Sequence, residues 1–206
     1  MATLNFPTLS RPPSSFRMQL KPNTQIFRSP LNGGVQTVEL PGAMWICDVV
    51  YNTLPQADRL LMQGFLAQLR GRSGRAFLWD MSLQTPNGVA TGTPLVNGAG
   101  QTGASLITNG WTVSITNILK IGDYFGVNGE LKRVVANANS DGTGVSTLVF
   151  EPPLRASPAN AAVITIASPK FTGLLVDDDQ DQYTASTRVQ TLEDGGFSVK
   201  FQEAFS

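Results

Sequence analysis

The densest set of possible ligands in this chain is Asp177-Asp178-Asp179-Gln180-Asp181, a run of carboxylates with one amide. Hard cations such as calcium want several oxygens, and an EF-hand loop also needs a glycine at its sixth position and a bidentate Glu at its twelfth. Counted from Asp177, the sixth position is not glycine and the twelfth is Arg188. A solvated turn between strands is the expectation. Gly71-Arg72-Ser73-Gly74-Arg75 carries the glycines and cations of a phosphate cradle. Such a cradle follows a strand and opens a helix, whereas this segment leaves one, so turn geometry explains its glycines. Glu39, Asp48, Asp80, Asp123, Glu130 and Glu151 could supply the paired carboxylates of a glycoside hydrolase, but no motif singles out two of them.

The chain has no histidine, which excludes Ser-His-Asp and Cys-His catalysis within it. Its single cysteine, Cys47, sits in the alternating run Met44 to Tyr51 and is expected to be a small buried apolar residue. Trp45, Trp79 and Trp111, with eleven Phe, could form a sugar-stacking surface, yet core positions on alternating strands explain them more simply. No catalytic, cofactor-binding or metal-binding residue is therefore assigned, and the chain is expected to be no enzyme and to use no cofactor.

Composition narrows the class further. Lys plus Arg and Asp plus Glu each number 15, so no global basic field exists to hold nucleic acid. Charged residues are 15% of the chain against a usual share of about 25%, while 20 Gly and 13 Pro signal many turns. No stretch approaches the ~18 apolar residues of a membrane span, and the first residues lack a basic-then-apolar signal pattern. A soluble protein, made in the cytoplasm and not exported by its own signal, is expected.

The elements that would position these residues are mostly strands. Residues 1–13 hold Pro7, Pro12 and Pro13 and no periodicity, predicting an extended or loosely packed start. Phe16, Met18 and Leu20 would share a strand face, with a turn at Pro22-Asn23 and strands over Thr24–Arg28, Val35–Leu40 and Met44–Tyr51. One helix is predicted over Pro55–Arg70. Thr53 and Gln56 fit a capping box, and Leu61, Phe65 and Leu69, flanked by Met62 and Leu66, form the core stripe. Gly71 would end the helix, and close approach to a sheet would explain Gly64. A strand over Phe77–Trp79 follows, then a long or partly extended loop from Thr85 to Gly110. Short strands are predicted over Trp111–Ile115, Asp123–Val127, Leu131–Ala136, Val145–Phe150 and Val163–Ile166, with turns at Gly126, Gly129 and Asp141–Gly144. Phe171–Val176, Tyr183–Leu192 and Phe197–Phe205 complete the β pattern. In the last, Phe197, Val199, Phe201 and Glu203 would share a face.

The expected fold is mainly β: a β-sandwich with one α-helix, made of residues 1–86 and 169–206, carrying an inserted small β-barrel at residues 87–168.

Two sets of motifs add a family resemblance. Ser29-Pro30-Leu31, Gln36, Pro41-Gly42, Trp45, the helix, Gly71-x-x-Gly74 and the aromatic strand after it resemble distal tail proteins of siphophages. Ile118 to Phe125, Lys132-Arg133-Val134-Val135 and Phe150 to Arg155 are similar to a β-module of phage tail and capsid proteins. This resemblance covers residues 29–80 and 111–166. It implies a virion protein of the tail tip that forms a homo-oligomeric, hexameric ring. The ring would join the tail tube protein to hub and fibre proteins, with DNA only passing through its lumen and no membrane insertion by this chain. Larger family members carry a C-terminal galectin-like domain that is not evident here. The alternatives are a tail-tube or tail-completion protein, or a carbohydrate- or host-surface-binding module seated on the inserted barrel.

The acidic run yields a first prediction. Calorimetric titration with calcium or zinc is expected to show no stoichiometric tight site. A one-to-one isotherm that disappears in Asp179→Ala would contradict this reading of the run.

Overall fold

The computed structural model describes residues 3–179, 183–184 and 196–205. In chain order its elements are β1 (Thr3–Asn5), β2 (Ser15–Lys21), β3 (Thr24–Arg28), β4 (Val35–Glu39), β5 (Met44–Tyr51), α1 (Gln56–Leu69), a 3-10 turn (Gly71–Ser73) and β6 (Arg75–Leu78). Then come β7 (Gly92–Val96), β8 (Gly103–Trp111), β9 (Tyr124–Val127), β10 (Glu130–Val134), β11 (Ser146–Leu154), β12 (Phe171–Leu175), β13 (Tyr183–Thr184) and β14 (Gly196–Glu203). The fold is mainly β with one α-helix, as the patterning predicts. Among the described residues, one compact unit takes in 7–75 and the described part of 173–206; the other takes in 3–6 and 76–172.

In the first unit the strict alternation of β5 decides the architecture. Trp45, Cys47, Val49 and Tyr51 are buried, and the residues between them are half-exposed. That strand is central: β2 pairs with it antiparallel from Ser15↔Val50 to Lys21↔Met44, and β14 from Phe197↔Tyr51 to Gln202↔Ile46. β14 pairs in turn with β12 at Gly173–Leu175 and with β13. The inward face of β14 is Phe197, Val199, Phe201 and Glu203, as its alternation predicts. The carboxylate of Glu203 is not idle there, since it accepts the Trp45 backbone N–H at 3.1 Å.

α1 begins at Gln56 with Pro55 as N-cap and no side-chain capping bond, so the Thr53–Gln56 capping box does not form. Instead Asp58, buried in the first turn, accepts the Ser10 N–H at 3.0 Å and the Ser10 hydroxyl at 2.5 Å. The expected core stripe is also rotated. Met62, Phe65, Leu66 and Leu69 are buried beside Asp58, whereas Leu61 is 54% exposed. Successive helical side chains turn by about 100°, and the buried arc is centred between Phe65 and Met62, which carries Leu61 out of it. Gly64 lies on the exposed side, and a Cβ added there would have no atom within 4 Å, so no sheet presses on it. Arg70 closes the helix in the left-handed region (φ 51°), followed by Gly71 (φ 65°).

In the second unit, β1 lies beside β6 and Phe6 is buried at 4% exposure, so the proline-rich start is packed rather than loose. The segment expected to be a long loop, Thr85 to Gly110, instead supplies β7 and most of β8. These strands escape the pattern because their inward positions include Thr108. This residue is fully buried, with its hydroxyl donating to the Ser146 carbonyl and accepting from the Trp111 indole N–H. Trp111 ends β8 rather than opening a strand. Five strands follow the order β7-β8-β11-β10-β9.

The segment expected to be a strand at Val163–Ile166 forms none, but it has a different job. Val96 accepts the Ala161 N–H and donates to the Ala162 carbonyl, and Ile164 donates to the Pro94 carbonyl. Thr165 and Gly126 bond each other in both directions at 2.8 Å. One segment thus bridges both edges of the curled sheet. Gly126, expected in a turn, sits inside β9, where a side chain would meet Thr165 and Pro169 at about 3.5 Å. The β9–β10 turn is Asn128-Gly129, both at positive φ, the geometry two-residue hairpins prefer.

Inside this sheet Phe125 and Phe150 meet edge-to-face at 5.3 Å, within a core that includes Leu106, Ile118, Leu119, Val134 and Leu148. Two polar devices are buried with them. Lys132, fully buried, donates to Glu130 at 2.6 Å and to the Pro153 carbonyl at 2.8 Å. Asp123, also fully buried, accepts from the N–H groups of Asn87 (2.7 Å), Gly88 (3.0 Å) and Lys120 (2.7 Å), and from the Asn87 side chain (3.2 Å). Burial pushes the Tyr51 phenol up to about 12, helped by the nearby charges of Asp58 and Cys47. Burial does the same to Tyr124, with Asp80 adding to the rise and Arg133 opposing it.

Removing the buried Asp123 carboxylate leaves three part-buried N–H groups unanswered, so Asp123→Ala is expected to cost about 2 kcal/mol in denaturant unfolding. Backbone exchange protection at residues 87–90 should fall first; an unchanged midpoint would show that the anchor is dispensable. The tyrosines give a pH window. Because both folded pKa values lie above the ordinary 10, the stability they confer is complete below pH 10 and lost as the pH rises toward 12. Ultraviolet titration should show two of the three tyrosines ionising near 12, and Tyr51→Phe with Tyr124→Phe should flatten the alkaline loss of stability.

Candidate functional site

Several of the residues whose chemistry stands out in the sequence hold the chain together. Asp178 accepts the Arg72 N–H at 2.8 Å and closes over Gly71, where a Cβ would collide with its carboxylate. Gln180, Asp181 and Arg188 lie outside the described residues. Among the described residues no group of three or more His, Cys, Asp or Glu side chains comes together as a metal site. Gly71 to Arg75 forms the turn that leaves α1. Gly74 backs onto the Leu69 backbone, and the Arg75 guanidinium donates to the carbonyls of Arg72, Ser73 and Gly74 at 2.9–3.2 Å.

Four of the six scattered carboxylates are likewise engaged locally. Asp48 faces Lys200 at 3.7 Å, Asp80 accepts the Ser82 N–H at 2.9 Å, and Asp123 and Glu130 are the buried anchors already described. Glu39 is exposed on β4. Cys47 is buried, as are Trp45 and Trp111, while Trp79 is half-buried with Phe6 against its edge and Lys170 over its face at 5.3 Å. A cleft of about 530 Å³ in the second unit is lined by Asn5, Phe77, Asn128, Thr165, Ser168 and Lys170 among others. It offers amides, the hydroxyls of Thr165 and Ser168, the Lys170 cation and an aromatic edge. No helix among the described residues is long and apolar enough to cross a membrane.

The first unit presents an exposed hairpin outward. Among the described residues β3 and β4 pair only with each other, from Thr24↔Glu39 to Arg28↔Val35, and every residue of both strands is exposed. Five residues at ~3.4 Å each make an arm about 17 Å long. Residues opposite one another share a face, so Phe27 and Val38 lie with Gln25 and Gln36 on one side. Ile26 and Val35 lie with Thr24, Thr37, Arg28 and Glu39 on the other. Ile26, Phe27, Val35 and Val38 are 44–58% exposed and Leu31, at the tip, is 95% exposed. A two-stranded hairpin is marginal on its own, and one apolar on both faces exposes surface that water disfavours.

The arm is nevertheless held in shape. At its base Leu40 donates to the Asn23 carbonyl and the Asn23 side chain to the Pro41 carbonyl, both at 2.8 Å. At its tip the Ser29 N–H donates to the Gly34 carbonyl at 2.8 Å, Gly33 returns a bond to Ser29 from a left-handed conformation (φ 69°), and Asn32 accepts the Gly34 N–H. The strand boundaries of this arm follow the sequence pattern closely. Its exposure does not, because apolar residues on strands ordinarily mark a half-buried face. The signal available is Ile26-Phe27, two adjacent apolar residues that cannot share one buried face.

Neither a protein-family model nor a curated protein matches this chain.

Proposed function

We propose that this chain is a structural virion protein of a phage tail tip. Copies of it close into a six-fold ring that joins the tail tube to the hub and fibres and continues the DNA channel. The observation that carries the reading is the rigid arm of residues 23–41, which offers Phe27, Leu31 and Val38 to a partner and coincides with the Ser29-Pro30-Leu31 to Pro41-Gly42 motifs behind the resemblance. Zero net charge fits self-association, since no long-range repulsion opposes it. The second unit, with its bridged sheet edges, suits an inserted domain on the ring that contacts neighbouring tail-tip proteins. A second reading, a glycan- or host-surface-binding module, draws on the cleft beside Phe77, Asn128 and Lys170.

Light scattering of the purified chain is expected to give a particle about six times the 22.1 kDa protomer, with rings in negative stain. A monomer at high concentration, with no such ring in images of virions carrying the protein, would sink the tail-tip reading. A monomer that is retained on a glycan array would favour the second.

A further inference from the structure

We infer that Asn128 is a site of spontaneous covalent modification, the one of the chain's five Asn-Gly pairs that the fold leaves free to convert to aspartate or isoaspartate. The pairs are Asn32-Gly33, Asn87-Gly88, Asn97-Gly98, Asn109-Gly110 and Asn128-Gly129. In each, the glycine nitrogen can approach the Asn Cγ because the glycine carries no side chain to hinder it. That nitrogen gives up its proton, the new N–Cγ bond closes a five-membered imide, and the side-chain nitrogen leaves as ammonia. Water then opens the imide at one carbonyl to give Asp, or at the other to give isoAsp. Solvent supplies the water, and the oxidation state of every atom is unchanged.

What the fold controls is the attacking nitrogen. A glycine N–H engaged in a hydrogen bond is turned toward its acceptor and must break that bond to react. The Gly33 N–H donates to the Ser29 carbonyl at 3.1 Å, and the Asn32 side chain is itself held by the Gly34 N–H at 3.0 Å. The Gly98 N–H donates to the Asn160 side chain at 2.8 Å. Asn87-Gly88 is restrained most. Buried Asp123 accepts the Gly88 N–H at 3.0 Å and the Asn87 side chain at 3.2 Å, and its negative charge opposes an amide anion beside it. Asn109-Gly110 lies within β8, where Asn109 pairs with Leu95 and a Cβ on Gly110 would strike the Thr93 carbonyl, so the backbone has little room to swing.

Asn128-Gly129 differs from the other four. Both residues are exposed at the tip of the β9–β10 hairpin, and a Cβ on Gly129 would have no atom within 4 Å. Neither the Asn128 side chain nor the Gly129 N–H has a hydrogen-bond partner among the described residues. Asn128 also lines the cleft of the second unit, whose one charged lining residue among those described is Lys170. A carboxylate at position 128 balances that cation, so the charge of the cleft follows the age of the chain. Asp-Gly suits a two-residue hairpin turn as Asn-Gly does, whereas isoAsp adds a methylene to the backbone and disturbs the closing Val127↔Glu130 pair.

The test is to age the full folded chain at mildly alkaline pH and follow all five sites by mass spectrometry of its peptides, with the chain in denaturant alongside. In the folded chain Asn128 is expected to convert first. It should outpace Asn87 about tenfold or more, since freeing the Gly88 N–H means breaking its bond to a buried carboxylate. In denaturant the five rates should converge, because the restraints are gone. Ion exchange of the aged folded chain should show an acidic form that grows as Asn128 is lost. Aged Asn128→Gln should lack that form, because a Gln side chain must close a larger and slower-forming ring. The assignment is overturned if another of the five converts first in the folded chain, or if the ranking is the same in denaturant. It is overturned equally if the early acidic form persists in Asn128→Gln.

Discussion

The pairing of β5 with β14 is the constraint on which the first unit depends. Its register runs unbroken from Tyr51 to Ile46, and its end is fastened by the Glu203 carboxylate on the Trp45 N–H, across 158 residues of sequence. β5 cannot bury Trp45, Cys47, Val49 and Tyr51 in a sheet until the last strand has returned. Closing so long a loop is entropically tolerable, because each doubling of length costs only about 0.6 kcal/mol. The cost is smaller still when the intervening chain folds by itself. That is the physical reason a chain leaving the first unit at Arg75 and rejoining it at Gly173 can carry a second compact unit between those points.

The two units treat exposed backbone in opposite ways. In the second, residues 161–165 bond both outer strands, so the sheet offers few free edges, and polar anchors hold the closing loops. Asp123 gathers amides from Asn87, Gly88 and Lys120, fixing where the chain enters the sheet against where β9 begins. Lys132 and Glu130 form a buried pair that replacement by apolar residues could match in stability, but that breaking on one side would not. The Lys132 bond to the Pro153 carbonyl ties β10 to the end of β11 and so specifies register. In the first unit the arm keeps its edges and both apolar faces in water. Sheet proteins ordinarily suppress such edges, so one that is stiffened and left apolar departs from the usual economy of a sheet surface.

Much of this is legible in the sequence wherever alternation is strong. β2, β5, β12 and β14 follow from Phe16, Trp45, Phe171 and Phe197 and the residues two apart from them, and the inward Glu203 follows from its phase alone. Legibility fails where burial is achieved by polar or small groups. β7 and β8 are hidden because Thr108 and glycines occupy positions that large apolar residues usually mark. It fails again in α1, where apolar residues at 60, 61, 62, 65 and 66 span more of the helix than one buried face requires. Treating the excess as a single core stripe puts Leu61 inside and gives Gly64 a neighbour it does not have. The excess itself is the informative feature, since a helix that needs only one dry face has no use for leucines on the other.

The candidate site is harder to read for a related reason. Chemistry in a sequence is recognised by rare side chains at fixed spacings, and here Asp48, Asp80, Asp123, Glu130 and Asp178 are engaged by local partners. Association surfaces are made of common residues whose meaning depends on exposure, which only the fold supplies. Once the fold is known, the exposed apolar arm can be read in energetic terms. Association must offset the ordering of whatever segments make the contact, and flexible segments lose most. Here the ordering is already done within each copy, by Asn23 and Leu40 at the base of the arm and by Ser29, Asn32 and Gly34 at its tip. α1 is rigid for its own reasons, held by its buried arc and by Ser10 on Asp58. A surface ordered in this way presents its apolar residues without further conformational cost.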